Sequence, residues 1–176
     1  ELIEKKQLSP LHIRVLVLEH NKFDRQMMKD KTYQQEMEFL STNMKRNQFI
    51  RSLVCATNGN ILVLAQYIEK QLVPLCNMIV DHCGEDRTVH LIYGATPTDD
   101  REKVRQLVEK DDNAVIVASY GTFSTGVNIK RIHAIIFASP YKSQIKVLQS
   151  IGRGLRVADD KEELELFDIA DDLRYN

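Results

Sequence analysis

Short apolar runs recur along this chain, separated by stretches in which apolar residues return every three or four positions. Ile13–Leu18 (IRVLVL), Ile61–Ala65 (ILVLA), Val89–Tyr93, Ala114–Ala118 (AVIVA) and Ala134–Phe137 (AIIF) have strand length, and a last strand is predicted near Glu165–Ile169. Helical spacing predicts helices over Tyr33–Leu40 and Lys45–Ala56. A third runs through Ile68, Leu72, Leu75, Cys76, Ile79 and Val80, with Pro74 inside it to start or kink it. Thr96-Pro97-Thr98-Asp99 reads as a helix start, with Thr96 as N-cap and Pro97 at the first helical position. That helix continues through Val104, Leu107 and Val108. Another is predicted over Ser143–Ile151. Glu19–Lys31 has no clear period and is expected to be an extended loop or a frayed connection. Strand and helix alternate throughout, which predicts an α/β fold on a mainly parallel sheet.

Composition narrows the picture without changing it. At 176 residues, 43% hydrophobic and 28% charged, the chain suits one domain with a substantial core. A net charge of −1 supplies no global basic field, so any binding of phosphates must come from locally placed groups. The longest apolar runs, such as Ala134–Ala138, are too short to span a bilayer and nothing resembles a signal peptide, so no membrane partner and a cytoplasmic location are expected. The three cysteines, Cys55, Cys76 and Cys83, have no CxxC spacing. His82 beside Cys83 lacks two further ligands at usable spacing, so no metal site is expected.

The sharpest local signal is Gln149-Ser-Ile-Gly152-Arg153-Gly154-Leu155-Arg156, which fits QxxGRxxR. Two arginines three residues apart at a helix end can reach one anionic group, and the planar guanidinium binds phosphate oxygens without ever losing its charge. A basic helix end that complements the dipole is the plainer account of this octet alone. Upstream, Val115–Asn128 (VIVASYGTFSTGVN) is a strand followed by small and hydroxyl residues, whose amides and hydroxyls can contact phosphates beyond the end of a parallel strand. Tyr93-Gly94-Ala95-Thr96, followed by Arg101, places a helix start beside an arginine.

Taken together and in this order, the three pieces resemble the second RecA-like lobe of superfamily 2 helicases. VASYGTFSTG stands at motif V, QSIGRGLR at motif VI, YGAT with Arg101 at motif IVa, and ILVLAQ where motif IV begins. KTYQQE, MKRN, VASYGTFSTG and LQSIGRGLR look, more narrowly, like the phage recombination helicases that remodel branched DNA. The resemblance implies a RecA-like three-layer sandwich, with residues 1–31 as a linker and first-strand region and 32–176 as the lobe, one domain overall.

It also implies ATP bound between two lobes, with Mg²⁺ held by the first. No GxxxxGK occurs here, so the first RecA-like lobe would be a partner within the same protein, and this lobe alone would not turn over ATP. The start at Glu1 without Met and the stop at Asn176 are those expected of an excised piece. By the resemblance, Arg153 and Arg156 are arginine fingers on the γ-phosphate and Gln149 couples them to the first lobe. Gly126 and Asn128 approach the nucleotide. Gly94, Thr96, Arg101, Ser119, Tyr120, Gly121 and Thr122 track the DNA backbone through its phosphates, at a branch or at a junction of single and double strand.

Two departures stand out. Tyr120-Gly121 occupies a place where most relatives have Thr-Asp, and Asn128 replaces a usual aspartate. Two other readings fit the residues: a duplex translocase that does not separate strands, and a doubly wound binding domain that uses QSIGRGLR as a basic patch.

Overall fold

A computed structural model describes residues 9–122, 129–141, 152 and 163–173. Its strands are β1 (Leu11–Glu19), β2 (Ile61–Ala65), β3 (Val89–Ile92), β4 (Val115–Ser119), β5 (Ala134–Phe137) and β6 (Leu164–Asp172). Its helices are α1 (Lys22–Met28), α2 (Tyr33–Thr42), α3 (Met44–Ala56), α4 (Val73–Cys83) and α5 (Thr98–Val108). The predicted helix at 143–151 lies outside the described residues.

The strands form one sheet in the order β1-β6-β5-β2-β4-β3, and every pairing is parallel. Central strands of such a sheet are covered on both faces, so they read as continuous apolar runs rather than alternating ones. In β2, Ile61, Val63 and Ala65 face a core built with α3 and α4, while Leu62 and Leu64 face a second core that includes Val108 of α5. This gives the three layers of the expected sandwich. β1, from the expected linker region, is an edge strand in register with the whole of β6, from Leu11↔Leu164 to Glu19↔Asp172. Its Leu16 and Leu18 pack inward, whereas Ile13, Val15 and Val17 are exposed.

Two local expectations change and one open choice is settled. Glu19–Lys31 contains α1, capped by Asn21, whose Oδ1 accepts from the Asp24 amide at 2.8 Å. With only Met28 buried, this seven-residue helix leaves no apolar period to find. Pro74 starts α4 rather than kinking it, after a π-helical turn over Ile68–Leu72. Thr96 does not cap α5. Its hydroxyl accepts from the Tyr93 amide at 3.0 Å, satisfying a donor just beyond edge strand β3, and Pro97 takes the cap position with no side-chain bond.

The amino-terminal edge of the sheet is fastened by side chains. Asn60 Nδ2 donates to the carbonyls of Val108 (3.0 Å) and Asp111 (2.7 Å), and its Oδ1 accepts from the Ala114 amide at 2.8 Å. The Asn60 amide donates to His133 Nδ1 at 2.9 Å. Arg87 donates to the carbonyls of Val54, Thr57, Gly59 and Asn113, closing the end of α3.

Candidate nucleotide and nucleic-acid interface

In an all-parallel sheet every strand ends at the same edge, and ligands of such folds gather there. One of the three predicted pieces is described whole and a second as far as Thr122, and both lie at this edge. Gly94, Thr96 and Arg101 follow β3, Ser119 ends β4, and Tyr120–Thr122 follow it, with β3 and β4 paired as neighbours. Gly126, Asn128, Gln149, Arg153 and Arg156 lie outside the described residues. Gly152 is described and exposed.

Around β3 the arginine braces its own loop. Arg101 Nε donates to the Thr96 carbonyl at 2.8 Å, and Nη2 to the carbonyls of Gly94 (3.1 Å) and Tyr93 (3.5 Å). Gly94 is exposed, and Thr96 and Arg101 are half-buried. The loop is therefore held in one shape with a positive group behind it, and its exposed backbone at Gly94 faces outward.

After β4 the expected open loop is a helical turn over residues 120–122. Ser119 Oγ and Thr122 Oγ1 bond each other at 2.8 Å and both are buried, so their hydroxyls serve this turn. Tyr120 leaves the contact surface altogether. Its ring is 1% exposed and stacks on Tyr141 at 4.3 Å and 12°, and its hydroxyl donates to the Ser139 carbonyl at 2.8 Å. Burial, reinforced by Asp168, pushes its pKa well above the ordinary tyrosine range, so the hydroxyl stays a donor. Gly121 is the exposed member of the four.

Beneath this edge lies a buried polar cluster that no spacing in the sequence announces. Arg46 of α3 meets both carboxylate oxygens of Asp171 in β6 through Nε, each at 3.0 Å, with the side chains 1% and 3% exposed. His20 Nε2 lies 2.9 Å from the same carboxylate. Arg46 also donates through Nη1 to the Ala138 carbonyl, which accepts Gln71 Nε2 as well at 3.0 Å. Ser139 Oγ donates to Gln71 Oε1 and accepts the Gln66 amide. Arg46 and Asp171 are 125 residues apart, and neither is marked in the sequence as a partner of the other.

A cleft of about 400 Å³ opens above Asp168 and Asp171, against Tyr120, Ser139 and Tyr141. A larger one, about 570 Å³, lies at the opposite edge among Arg14, Thr57, His133, Glu163 and Glu165. Size alone would choose the second, but the loops predicted to contact DNA are at the first. Among the described residues no group of three or more His, Cys, Asp or Glu could hold a metal ion, and no helix is long and apolar enough to cross a membrane.

Residues 44–158 match the family of the helicase conserved C-terminal domain, which is well over half of the chain. This chain is a helicase C-terminal domain. The helicase domain is 31% identical, over 97% of its length, to the ATP-dependent DNA helicase uvsW of Enterobacteria phage T4. It is 30% identical over 74 residues, 42% of its length, to a probable helicase of Escherichia phage T5. It superimposes on the crystal structure of T4 UvsW with a TM-score of 0.78, covering 94% of this chain and 33% of that one. Domain 2 of the DEAD-box helicase Mss116p, bound to an RNA duplex, matches with a TM-score of 0.58 at 14% identity over 90% of this chain and 54% of that one, a likeness of fold alone. The helicase domain spans about a third of uvsW and a sixth of the phage T5 protein. It is thus the RecA-like C-terminal domain of a superfamily 2 helicase related to uvsW, as the motif order implied.

Proposed function

We propose that this domain is the second motor lobe of an ATP-dependent DNA helicase or translocase that remodels branched DNA in the cytoplasm, the host's if the protein is viral. The observation that carries the reading is QxxGRxxR at 149–156, inside the matched region of a chain 31% identical to a named DNA helicase. In this reading a first RecA-like lobe of the same protein cradles ATP and Mg²⁺, and the nucleotide supplies the phosphoryl group whose hydrolysis drives the cycle. Arg153 and Arg156 reach across the cleft to the γ-phosphate, and Gln149 fixes them to the first lobe. Gly126 and Asn128 line the nucleotide side.

On the DNA side the described residues refine the proposal. Exposed backbone at Gly94 and Gly121 offers groups to the phosphates. Arg101 and Thr96 hold the first loop, and Ser119 and Thr122 hold the second. Contacts of this kind read the backbone and not the bases, so recognition follows DNA shape. Closure of the two lobes on ATP and their release after hydrolysis then alternate the grip along a strand.

The test is DNA-stimulated ATP turnover by the full-length protein. Arg153→Ala and Arg156→Ala are each expected to lower kcat by about 10³–10⁵, the worth of an arginine finger, with nucleotide affinity little changed. Lysine at either position rescues poorly because it lacks the planar fork. Near-normal turnover in either alanine variant removes that residue from the role.

A further inference from the structure

Strands β4 and β5 are not neighbours, because β2 lies between them in the sheet. The loops that leave them nevertheless carry the two halves of the proposed machinery. The turn after β4 presents Gly121, and Ser139, two residues past the end of β5, precedes Gln149 by ten positions in the sequence. No ladder hydrogen bond joins these two strands directly. Tyr120, the residue after β4, links them by donating to the Ser139 carbonyl, two residues past β5, at 2.8 Å.

The acceptor end of that bond is unusually well held. The Ala138 carbonyl accepts both Arg46 and Gln71, and Ser139 Oγ bonds both Gln71 and the Gln66 amide. Residues 138–139 are therefore gripped from α3, from the π-helical turn, from the end of β2 and from Tyr120. All four grips are buried or half-buried, where a lost partner leaves a desolvated polar group. At its other end the Tyr120 ring is fixed by stacking on Tyr141 and by a tilted contact with Phe137 at 5.7 Å. A rigid ring with a fixed donor, joined to a peptide that cannot shift, sets the position of the turn to which it belongs.

We propose that Tyr120 is a positioning residue for the coupling of DNA contact to ATP hydrolysis: its hydroxyl locks the turn at 120–122 to residues 138–141 after β5, so that these two segments shift as one body. The proposal rests on the motor-lobe reading above and adds to it the part that transmits the signal inside the lobe. If the ring served only to fill the core, phenylalanine would replace it without consequence, since the stacking and the volume survive.

The deciding measurement is the ratio of DNA-stimulated to DNA-free ATP turnover in the full-length protein. Tyr120→Phe is expected to lower this ratio roughly three- to tenfold, the scale of one buried hydrogen bond. Gln71→Met, which loosens the acceptor from the other side, lowers it as well, and the double variant falls by less than the product of the two single effects. An unchanged ratio in Tyr120→Phe overturns the proposal, whether both rates persist or both decline together. Strictly multiplicative effects in the double variant overturn the hub as the route. A wild-type protein whose turnover ignores DNA overturns the motor-lobe reading itself, an outcome distinct from a normal wild type with an indifferent Tyr120→Phe.

Discussion

Removing the Asp171 carboxylate should be among the most damaging single changes in this domain. Asp171→Ala leaves Arg46, with its side chain 1% exposed, deprived of two bonds at 3.0 Å, and deprives His20 of its partner at 2.9 Å. Breaking a buried ion pair by deleting one partner costs about 3–5 kcal/mol, because the remaining charge is left desolvated. Against a total stability of about 5–15 kcal/mol, that is a large fraction. At roughly 2–4 °C per kcal/mol for a chain of this size, it lowers Tm by roughly 6–20 °C. The check is urea and thermal unfolding of wild type, Asp171→Ala, and the double variant Arg46→Met with Asp171→Leu. If desolvation dominates, the double variant recovers most of the loss, because an apolar pair needs no compensation. A cost below about 1 kcal/mol for Asp171→Ala would match a solvated surface pair and refute the argument.

Two further outcomes follow from the described geometry. Gly59 has φ +78°, and a Cβ there would meet the His133 ring at 2.7 Å, while that ring is tied to the Asn60 amide. Gly59→Ala should therefore cost about 1–3 kcal/mol in urea unfolding, and a cost near zero would mean that the turn or the ring relaxes freely. Burial lowers the pKa of half-buried His90 below its ordinary value, an effect that Asp111 partly opposes. In the window between the lowered folded value and about 6.5 the unfolded chain binds more protons, so stability is present above about pH 6.5 and is lost as pH falls through that window. Unfolding midpoints measured from pH 7.5 to 5.5 should decline less steeply in His90→Gln, and equal slopes would remove His90 as a cause.

The layout of the sheet is legible in the sequence because parallel strands covered on both faces leave apolar runs such as ILVLA and AIIF. The same logic misleads at the edge, where IRVLVL looks buried but leaves Ile13, Val15 and Val17 exposed. α1 is missed for want of an apolar stripe, although Asn21 and Asp24 three residues apart mark its cap. Thr96 satisfies the sequence rule for an N-cap, yet its hydroxyl bonds the nearby Tyr93 amide instead. At the candidate site the residues singled out in the sequence lie at the ends of β3 and β4, but a string of small and hydroxyl residues does not reveal which side chains turn inward. Tyr120 is the clearest case, since its ring finds Tyr141 and its hydroxyl finds Ser139, each about twenty positions away. Gln71 and Asp171 could not be found at all, and Arg46 lies in the MKRN segment without any sign of its role, because buried polar partners are chosen by the fold and not by spacing.

The fastening of the amino-terminal edge has a mechanical meaning. There Asn60, Arg87 and His133 tie the ends of α3 and α5 to the starts of β2, β4 and β5 by bonds to the backbone itself. A force applied to the opposite edge, where a nucleotide or a nucleic-acid strand would pull, meets a heel with no slack joint. In the proposed motor role such a body would swing as a lever and not flex like a hinge. Its stroke would then be set by whatever it pivots against, while length changes in its working loops alter what the lever grips without altering how stiffly it swings.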